Sequence, residues 1–352
     1  MIITQLSRPD LPDWDHHENV IHARDHDSGL DAIIAVHNTR LGPGLGGCRF
    51  RPYEDFDAAL TDVLRLSRGM TYKNAMANLA LGGGKSVIIG DGRAMSGEAR
   101  KKLMLAMGQA VKSLNGQYVA AEDMHTNESD MGIMHSVTPY VCGLPAAQRK
   151  SVGGNPSPLT ARGVLRSIEV AAGGQLGGLK VAVQGAGSVG YALCDLLHQA
   201  GAKLWVSDVH DDAAARCHDD FGAVVVPVDE IYAAPVDVFA PCAMGAILND
   251  ETIPMLQAKM VVGAANNQLA EERHADALAA RGILYAPDYI VNAGGVIFVG
   301  CEYLGATDEA AVIAQVDRIG ETLREILNFA KAKNVTPAAA ADELAQQRFS
   351  AA

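Results

Sequence analysis

The glycine-rich turn at residues 185–190 constrains the fold of this chain more than any other feature. An apolar, strand-like run, Lys180–Gln184, leads directly into Gly185-Ala-Gly187-Ser-Val-Gly190, and an apolar helical pattern follows. In such a turn the first glycine permits a tight bend, the second lets backbone approach a pyrophosphate, and the third lets helix and strand pack closely. The helix N-terminus offers N–H groups and a positive dipole to the phosphates. The sequence therefore predicts a dinucleotide-binding strand–turn–helix.

An acidic residue at the end of the next strand-like run supports this prediction. Asp208 follows Leu-Trp-Val-Ser, where a carboxylate can accept hydrogen bonds from both ribose hydroxyls and would repel a 2′-phosphate. We therefore expect NAD rather than NADP. The alternative is an ordinary glycine-rich turn followed by a surface aspartate. The candidate cofactor residues of this motif are Gly185, Ala186, Gly187, Ser188, Val189, Gly190 and Asp208.

Short apolar runs alternate with helical patterns through the second half of the chain. This alternation is typical of a parallel sheet that helices cover on both faces, and it predicts an α/β fold. The expected strands are 180–184, 204–207, 223–226, 236–240, 260–263 and 283–285, and the expected helices are 188–200, 211–220, 271–281 and 307–332, with an Ala-rich helix from residue 337.

The first half combines strand-like runs with long helices. Apolar residues recur at helical spacing from 55 to 77, which predicts a long amphipathic helix. Further helices are expected at 96–114 and 157–172, strands at 31–37, 86–89 and 117–121, and glycine-rich segments at 41–49 and 82–84.

Composition and charge exclude several classes of protein. The 352 residues are 49% hydrophobic and carry 29 Lys+Arg against 41 Asp+Glu, a net charge of −12, so we expect no nucleic-acid partner and no anionic membrane surface. No apolar run reaches the roughly 18 residues of a membrane span, and the residues after Met1 lack the profile of a secretion signal. Six cysteines without a Cys-x-x-Cys pair argue against a zinc knuckle or a disulfide framework and favour the reducing cytoplasm, and we expect no metal.

Two lysines stand in unusual surroundings. Lys73 lies near the end of the apolar helical pattern, and Lys85 lies between three glycines and a buried strand-like run. An isolated lysine is most often a solvated surface charge. Two ammonium groups in a partly dry cleft would, however, disfavour each other's charge, so that one could act as a base near neutral pH. Asp123, directly after an expected strand, could complete the set, although aspartate is also common in turns.

These residues lie in motifs that resemble those of the amino-acid dehydrogenase superfamily, in its leucine/valine/phenylalanine branch. The resemblance covers most of the chain, in the family's order. The motifs are Leu41-Gly-Pro-Gly-Leu-Gly-Gly-Cys-Arg49, Gly69-Met-Thr-Tyr-Lys-Asn74, Leu81-Gly-Gly-Gly-Lys85, Ala121-Glu-Asp123, Gly154-Asn-Pro-Ser-Pro-Leu-Thr160, the Gly185 turn, Pro241-Cys-Ala-Met-Gly245, Gly263-Ala-Ala-Asn-Asn267 and Val291-Asn-Ala-Gly-Gly-Val296.

The resemblance implies a domain arrangement and a reaction. It implies an N-terminal α/β domain for substrate binding and oligomerisation, residues 1–141 with a C-terminal helix at about 330–352, and a Rossmann-type NAD-binding domain, residues 142–329, with a cleft between them. The implied enzyme is a homo-oligomer. It would transfer a hydride from Cα of an L-amino acid to NAD, and hydrolysis would then give the 2-oxo acid and ammonia.

Matched positions acquire roles from the same resemblance. Lys73 would bind the substrate α-carboxylate, and Lys85 would be the catalytic lysine that gives up its proton readily and activates the attacking water. Asp123 would move protons to and from the amino nitrogen. For the cofactor, Thr160 would bond the nicotinamide carboxamide, Asn267 would contact the nicotinamide ribose or the substrate amine, and Ala243 would lie beside the adenosine.

The side-chain pocket is expected to be apolar. Glutamate-specific relatives carry a lysine at the position of Leu45, and a carboxylate buried there without a partner would cost roughly several kcal/mol. The expected substrate contacts besides Lys73 are Leu45, Gly46, Ala121, Val296 and Val299.

Departures from the family pattern leave the substrate open. Met124-His125 follows Asp123 where the branch usually has Val-Gly, and Phe298 stands where leucine enzymes tend to have Asn. A branched-chain substrate is favoured and an aromatic one is the alternative, because one methylene is worth only about 1–3 kcal/mol. Two further alternatives are an NADP-linked glutamate enzyme and a nucleotide sensor without turnover, and a sensor would have no need of a base between glycines.

Overall fold

The computed structural model describes residues 1–351, which form two compact units. The first unit comprises residues 1–154 and 297–309 and the end of the described chain from Ala345. The second comprises residues 155–296 and 310–344. Each has its own six-stranded sheet. The predicted α/β class is confirmed.

The sheet of the first unit is mixed. Its strands are β1 (Ile2–Gln5), β2 (Asn19–Asp25), β3 (Leu30–Asn38), β4 (Gly44–Arg51), β5 (Gly82–Ile89) and β6 (Tyr118–Glu122), in the order β1-β2-β3-β5-β4-β6. Strand β4 runs parallel to both of its neighbours, and the other pairs are antiparallel. Helix α1 (Phe56–Met76) packs on one face, and α2 (Gly97–Ser113) and α3 (Glu128–His135) pack on the other.

The sheet of the second unit is entirely parallel. Its strands are β7 (Lys180–Gln184), β8 (Lys203–Ser207), β9 (Val224–Val225), β10 (Val238–Pro241), β11 (Met260–Val261) and β12 (Leu284–Tyr285), in the order β12-β11-β10-β7-β8-β9. This is the doubly wound order, in which the direction of winding reverses between β7 and β10. The remaining helices are α4 (Ser157–Ala171), α5 (Ser188–Gln199), α6 (Asp211–Phe221), α7 (His274–Ala280), α8 (Asp288–Val291), α9 (Gly294–Tyr303), α10 (Glu309–Asp317), α11 (Ile319–Lys333) and α12 (Pro337–Ser350).

The structure corrects the prediction of one closing helix over 307–332. Two helices, α10 and α11, occupy this stretch, and the chain turns at Arg318. At the turn, Asp317 receives the guanidinium groups of Arg162 and Arg166 from α4 at 2.6 and 3.0 Å. The helical spacing of apolar residues continues through Arg318, but the contacts with α4 end the first helix there.

The predicted domain boundaries are drawn differently from the compact units. Residues 142–154 belong to the first unit because Val141 bridges to Ala120 of β6 and the Leu144 N–H donates to Glu302 Oε1 at 2.9 Å. Residues 330–344 belong to the second unit, and only the end of α12 belongs to the first. No helix in the described part of the chain has the length and hydropathy that a membrane span requires.

A buried histidine in the first unit is expected to make the stability of the chain depend on pH. His37 is 5% exposed, with Nδ1 2.8 Å from Thr71 Oγ1 and Nε2 3.6 Å from Asp15 Oδ2. Burial, and then the neighbouring His17, lower the pKa of His37 from 6.5 to about 4. Between those values the unfolded chain binds a proton that the folded chain does not, so stability falls as the pH falls.

We expect the free energy of unfolding to fall by about 3 kcal/mol through His37 between pH 7 and pH 4. Denaturant unfolding at several pH values in this range measures the effect. His37→Gln should show a shallower pH dependence than the wild-type chain, and equal slopes in the two proteins would contradict the prediction.

Candidate active site

Three strands of the first sheet bring the predicted catalytic residues side by side. The register places Gly47 of β4 opposite Ala121 of β6, and it pairs Cys48 with Ser86 of β5, so that Lys85 lies beside Gly47. Successive strand residues point to opposite faces, and the even-numbered neighbours belong to the core under α2 and α3. Lys85, Gly47 and Ala121 therefore form one row on the face that carries α1.

Lys85 and Asp123 form a close, mostly buried ion pair at the end of this row. Lys85 Nζ lies 2.5 Å from Asp123 Oδ2, and the two side chains are 9% and 22% exposed. Arg49 Nε approaches the same oxygen at 3.4 Å. Burial by itself would raise the pKa of Asp123, but the Lys85 and Arg49 cations outweigh it and lower the pKa to about 2. The carboxylate is thus ionised at neutral pH.

Gly47 is the point where this pair leaves no room for a side chain. A Cβ at Gly47 would lie 2.6 Å from Asp123 Cβ and 3.1 Å from Lys85 Nζ. At Gly46 a Cβ would collide with the Gly84 carbonyl of β5. No strand was predicted for the glycine-rich segments at 41–49 and 82–84, but residues 44–49 lie in β4 and residues 82–84 in β5, because glycine allows this close approach.

Lys73 lies in the last turn of α1 and is half-buried. Two contacts fix this turn against the sheet. The buried Asn74 amide donates to the Gly82 carbonyl at 2.6 Å, and a Cβ at Gly83 would collide with the Thr71 backbone. The end of α1 therefore packs directly on β5, the strand that carries Lys85.

The predicted apolar lining is placed unevenly. Leu45 and Ala121 are 1% and 8% exposed, so they pack within the first unit. Val296 and Val299 are half-buried on α9, but Val296 belongs to the second unit and Val299 to the first. Their roles in a substrate pocket remain predictions.

The glycine turn has the geometry of a dinucleotide-binding loop. Gly185 has φ +96°, a conformation that favours glycine, and a Cβ at Gly190 would collide with the Gly185 carbonyl. Gly187 caps the N-terminus of α5 without a side-chain hydrogen bond, is exposed, and would have no atom within 4 Å of an added Cβ. The N-terminus of α5, which contains Ser188 and Val189, thus has no side-chain cap and has open space beside Gly187, as a phosphate site requires.

Other predicted cofactor residues occupy the same edge of the parallel sheet. Asp208, after β8, accepts from Ala186 N–H at 2.7 Å and from His210 N–H at 2.9 Å, which leaves each oxygen a second lone pair. Ala243 and Asn267 are exposed in the loops after β10 and β11. Thr160 lies in the first turn of α4, and a Cβ at Gly295 would lie 2.8 Å from its Oγ1.

Two buried polar atoms at this edge lack a hydrogen-bond partner within residues 1–351. They are Gln184 Oε1 at the end of β7 and Ser207 Oγ at the end of β8. Together with the uncapped α5 and the Asp208 carboxylate, they fit a polar dinucleotide next to the switch point of the sheet.

A separate cluster has the residue types of a metal site, but an arginine already neutralises its carboxylates. Single ligand atoms of Asp250, Glu271 and His274 lie within 4.8 Å of one another. The Arg273 guanidinium already binds Asp250 at 2.6 Å and Glu271 at 2.9 Å. The arginine supplies the positive charge that these carboxylates need, so the cluster gives no reason to invoke a metal.

Comparison with known protein families identifies the family to which this chain belongs. The family model described as "Glu/Leu/Phe/Val dehydrogenase, dimerisation domain" matches residues 17–140, and the one described as "Glutamate/Leucine/Phenylalanine/Valine dehydrogenase" matches residues 211–352. The chain belongs to the glutamate/leucine/phenylalanine/valine dehydrogenase family. It is therefore an amino-acid dehydrogenase, and the resemblance found in its motifs is confirmed.

Individual members of the dehydrogenase family cover nearly the whole chain. Leucine dehydrogenase of Bacillus cereus is 47% identical over 338 residues, covering 95% of this chain and 91% of its own length. Phenylalanine dehydrogenase of Lysinibacillus sphaericus is 43% identical over 342 residues, covering 94% and 88%. The crystal structure of L-tryptophan dehydrogenase from Nostoc punctiforme superposes with a TM-score of 0.83 at 43% identity, covering 95% and 96%.

One residue beside the Lys85–Asp123 pair was given no role from the sequence. Arg49 ends the first glycine-rich motif, and it is held between Asp123 and Asp62 of α1. The sequence did contain a signal that Arg49 has a role, because an arginine two positions after Gly47 is unusual in a strand that buries most of its residues. His125, part of the departure from the family pattern, accepts from Arg93 Nε at 2.9 Å and uses Nδ1 on the Phe50 carbonyl, so both ring nitrogens are engaged.

Proposed function

We propose that this dehydrogenase catalyses the reversible, NAD-dependent oxidative deamination of an apolar L-amino acid, with leucine or another branched-chain acid favoured. The products are the 2-oxo acid and ammonia. The proposal rests on the buried ion pair between Lys85 Nζ and Asp123 Oδ2, which lie 2.5 Å apart. The neighbouring residue on the same sheet face, Gly47, has no side chain to separate them. An ammonium and a carboxylate in such contact can exchange protons with a bound amine and a water.

Each of these residues has a separate role in the proposed reaction. Lys73 binds the α-carboxylate of the substrate as a point charge. NAD, when bound, supplies the acceptor for the hydride on Cα. Asp123 takes a proton from the substrate ammonium before the oxidation and returns it to the nitrogen after water has added to the imine carbon. As the C–N bond breaks and ammonia leaves, the Asp123 carboxylate accepts the proton of the new hydroxyl group and the carbonyl forms. Lys85, in its neutral form, removes a proton from the water that adds to the imine carbon.

The branched-chain assignment is supported by the relatives and by Leu45. Five leucine dehydrogenases are 47–48% identical to this chain, and the tryptophan and phenylalanine enzymes are 43–45% identical. A panel of twenty L-amino acids with NAD, followed as NADH absorbance at alkaline pH, tests the proposal. The largest kcat/KM is expected for a branched-chain acid, and a larger value for phenylalanine or tryptophan would reassign the substrate. No turnover with any of them would favour a sensor.

Asp208 is expected to select NAD. Asp208→Ala should raise KM for NAD and increase the NADP/NAD ratio of kcat/KM by about tenfold or more, because ribose hydrogen bonds and repulsion of a 2′-phosphate are both lost. Asp208→Glu keeps the negative charge and two acceptor oxygens, whereas Asp208→Asn removes the charge and keeps an acceptor for only one of the Ala186 and His210 N–H groups. Asp219→Ala, at an exposed position in the same unit, is the control. An unchanged cofactor ratio would contradict the assignment.

We also infer a homo-oligomer in the cytoplasm. The matched first-half family is described as a dimerisation domain, and β1 is an exposed edge strand with Ile2 at 63% and Ile3 at 42% exposure. Such an apolar edge offers main-chain groups to a second chain. No disulfide joins cysteines in the described residues, which suits a reducing compartment.

A further inference from the structure

Arg49 connects the catalytic pair to α1 through a chain of polar contacts. Its Nε lies 3.4 Å from Asp123 Oδ2, and its Nη1 lies 3.0 Å from Asp62 Oδ2. The Tyr53 hydroxyl donates to Asp62 Oδ2 at 2.7 Å. The Arg49 side chain is only 15% exposed. The Asp62 and Asp123 carboxylates thus contact different nitrogen atoms of the guanidinium and hold it in one orientation.

The position of Arg49 matters because Lys85 is the group proposed to change its charge. Asp123 is mostly buried, and an isolated buried carboxylate is strongly disfavoured. Whenever Lys85 is neutral, Arg49 is the cation that remains on Asp123 Oδ2, and a guanidinium does not lose its proton in proteins. The other titratable groups in this surrounding are Asp62 and Tyr53 beside Arg49, and the Cys48 thiol on the opposite face of β4.

We propose that Arg49 is a positioning residue of this dehydrogenase: anchored by Asp62, which Tyr53 in turn bonds, it holds the Asp123 carboxylate ionised and beside Lys85 while Lys85 exchanges its proton. The inference rests on the proposed function in so far as it needs Lys85 to act as a base. It adds that catalysis requires a permanent cation on β4, which the chemical equation of the reaction does not include.

Kinetics of matched variants test this role. In Arg49→Met, kcat for the best amino acid should fall by about 30-fold or more, with KM and NADH affinity changed less than about threefold, because substrate and cofactor contacts are kept. Arg49→Lys keeps the charge and should recover most of the loss. Asp62→Asn loosens the anchor and should have an intermediate effect. Arg65→Met, on the same helix and paired with Asp13 at 2.8 Å, is the control and should leave kcat unchanged.

A spectroscopic readout makes the test independent of turnover. Infrared difference spectra between pH 7 and pH 5 should show a protonated carboxylic acid in the Lys85→Met/Arg49→Met double variant that is absent from Lys85→Met and disappears when Asp123→Asn is added. Wild-type kcat in Arg49→Met would overturn the proposal. So would an Arg49→Lys as slow and as thermally unstable as Arg49→Met, since that indicates a purely structural role. If the wild-type chain turns over no amino acid, the proposed function fails and the infrared comparison alone decides the role of Arg49.

Discussion

Lys85→Ala is expected to lower kcat for amino-acid oxidation by about 1,000-fold or more, while NADH binds as tightly as before. The ammonium lies 2.5 Å from Asp123 Oδ2, on a strand that neighbouring strands hold on both sides, and the substitution removes it. The residues assigned to NAD belong to the second unit, and this substitution does not touch them. Steady-state kinetics and NADH fluorescence titration measure the two effects separately.

A lysine outside the site provides the control for this substitution. Lys102 is exposed on α2, and Lys102→Ala should leave kcat and NADH affinity unchanged. A Lys85→Ala protein that keeps more than about a tenth of the wild-type kcat would remove Lys85 from the chemistry.

Gly47→Ala is expected to lower kcat by about 100-fold or more without removing any functional group. The new methyl carbon would lie 2.6 Å from Asp123 Cβ and 3.1 Å from Lys85 Nζ, which is closer than such atoms approach. One or both members of the ion pair must then move, and small misplacements of reacting groups carry large kinetic costs. The kinetic constants and a crystal structure of the variant, in which the distance from Lys85 Nζ to Asp123 Oδ2 should increase, measure the effect.

The matched substitution lies in the second unit. Gly177 is exposed, and a Cβ there would meet its nearest atom, Ala200 O, at 3.9 Å, an ordinary contact. Gly177→Ala should therefore behave as the wild-type enzyme does. If Gly47→Ala retained full kcat, the space between Lys85 and Asp123 would have no catalytic importance.

The fold of the second unit follows from local patterns in the sequence. Its six strands were all predicted, with ends displaced by at most two residues, because buried parallel strands read as short apolar runs between helices. The helix break at Arg318 could not be predicted in the same way, since it depends on Arg162 and Arg166 of a distant helix.

The first unit was harder to predict for a physical reason. Strands β1 and β2 and the glycine-rich part of β4 lack the continuous apolar signal of a buried strand, and β4 is a strand because other strands pack closely around its glycines. Lys85 and Asp123 were singled out individually, but their contact depends on the register of β4, β5 and β6. Arg49 went unassigned because its partners, Asp62 and Asp123, lie 13 and 74 residues away.

The run of glycines on β4 and β5 has a consequence for attempts to change the substrate preference by directed evolution. Gly44, Gly46, Gly47, Gly83 and Gly84 face backbone or ring atoms so closely that even a methyl group would displace them. Randomised libraries that include these codons will be dominated by misfolded or inactive clones. Diversity is better directed to positions that already carry a side chain and are only half-buried, such as Val299 on α9.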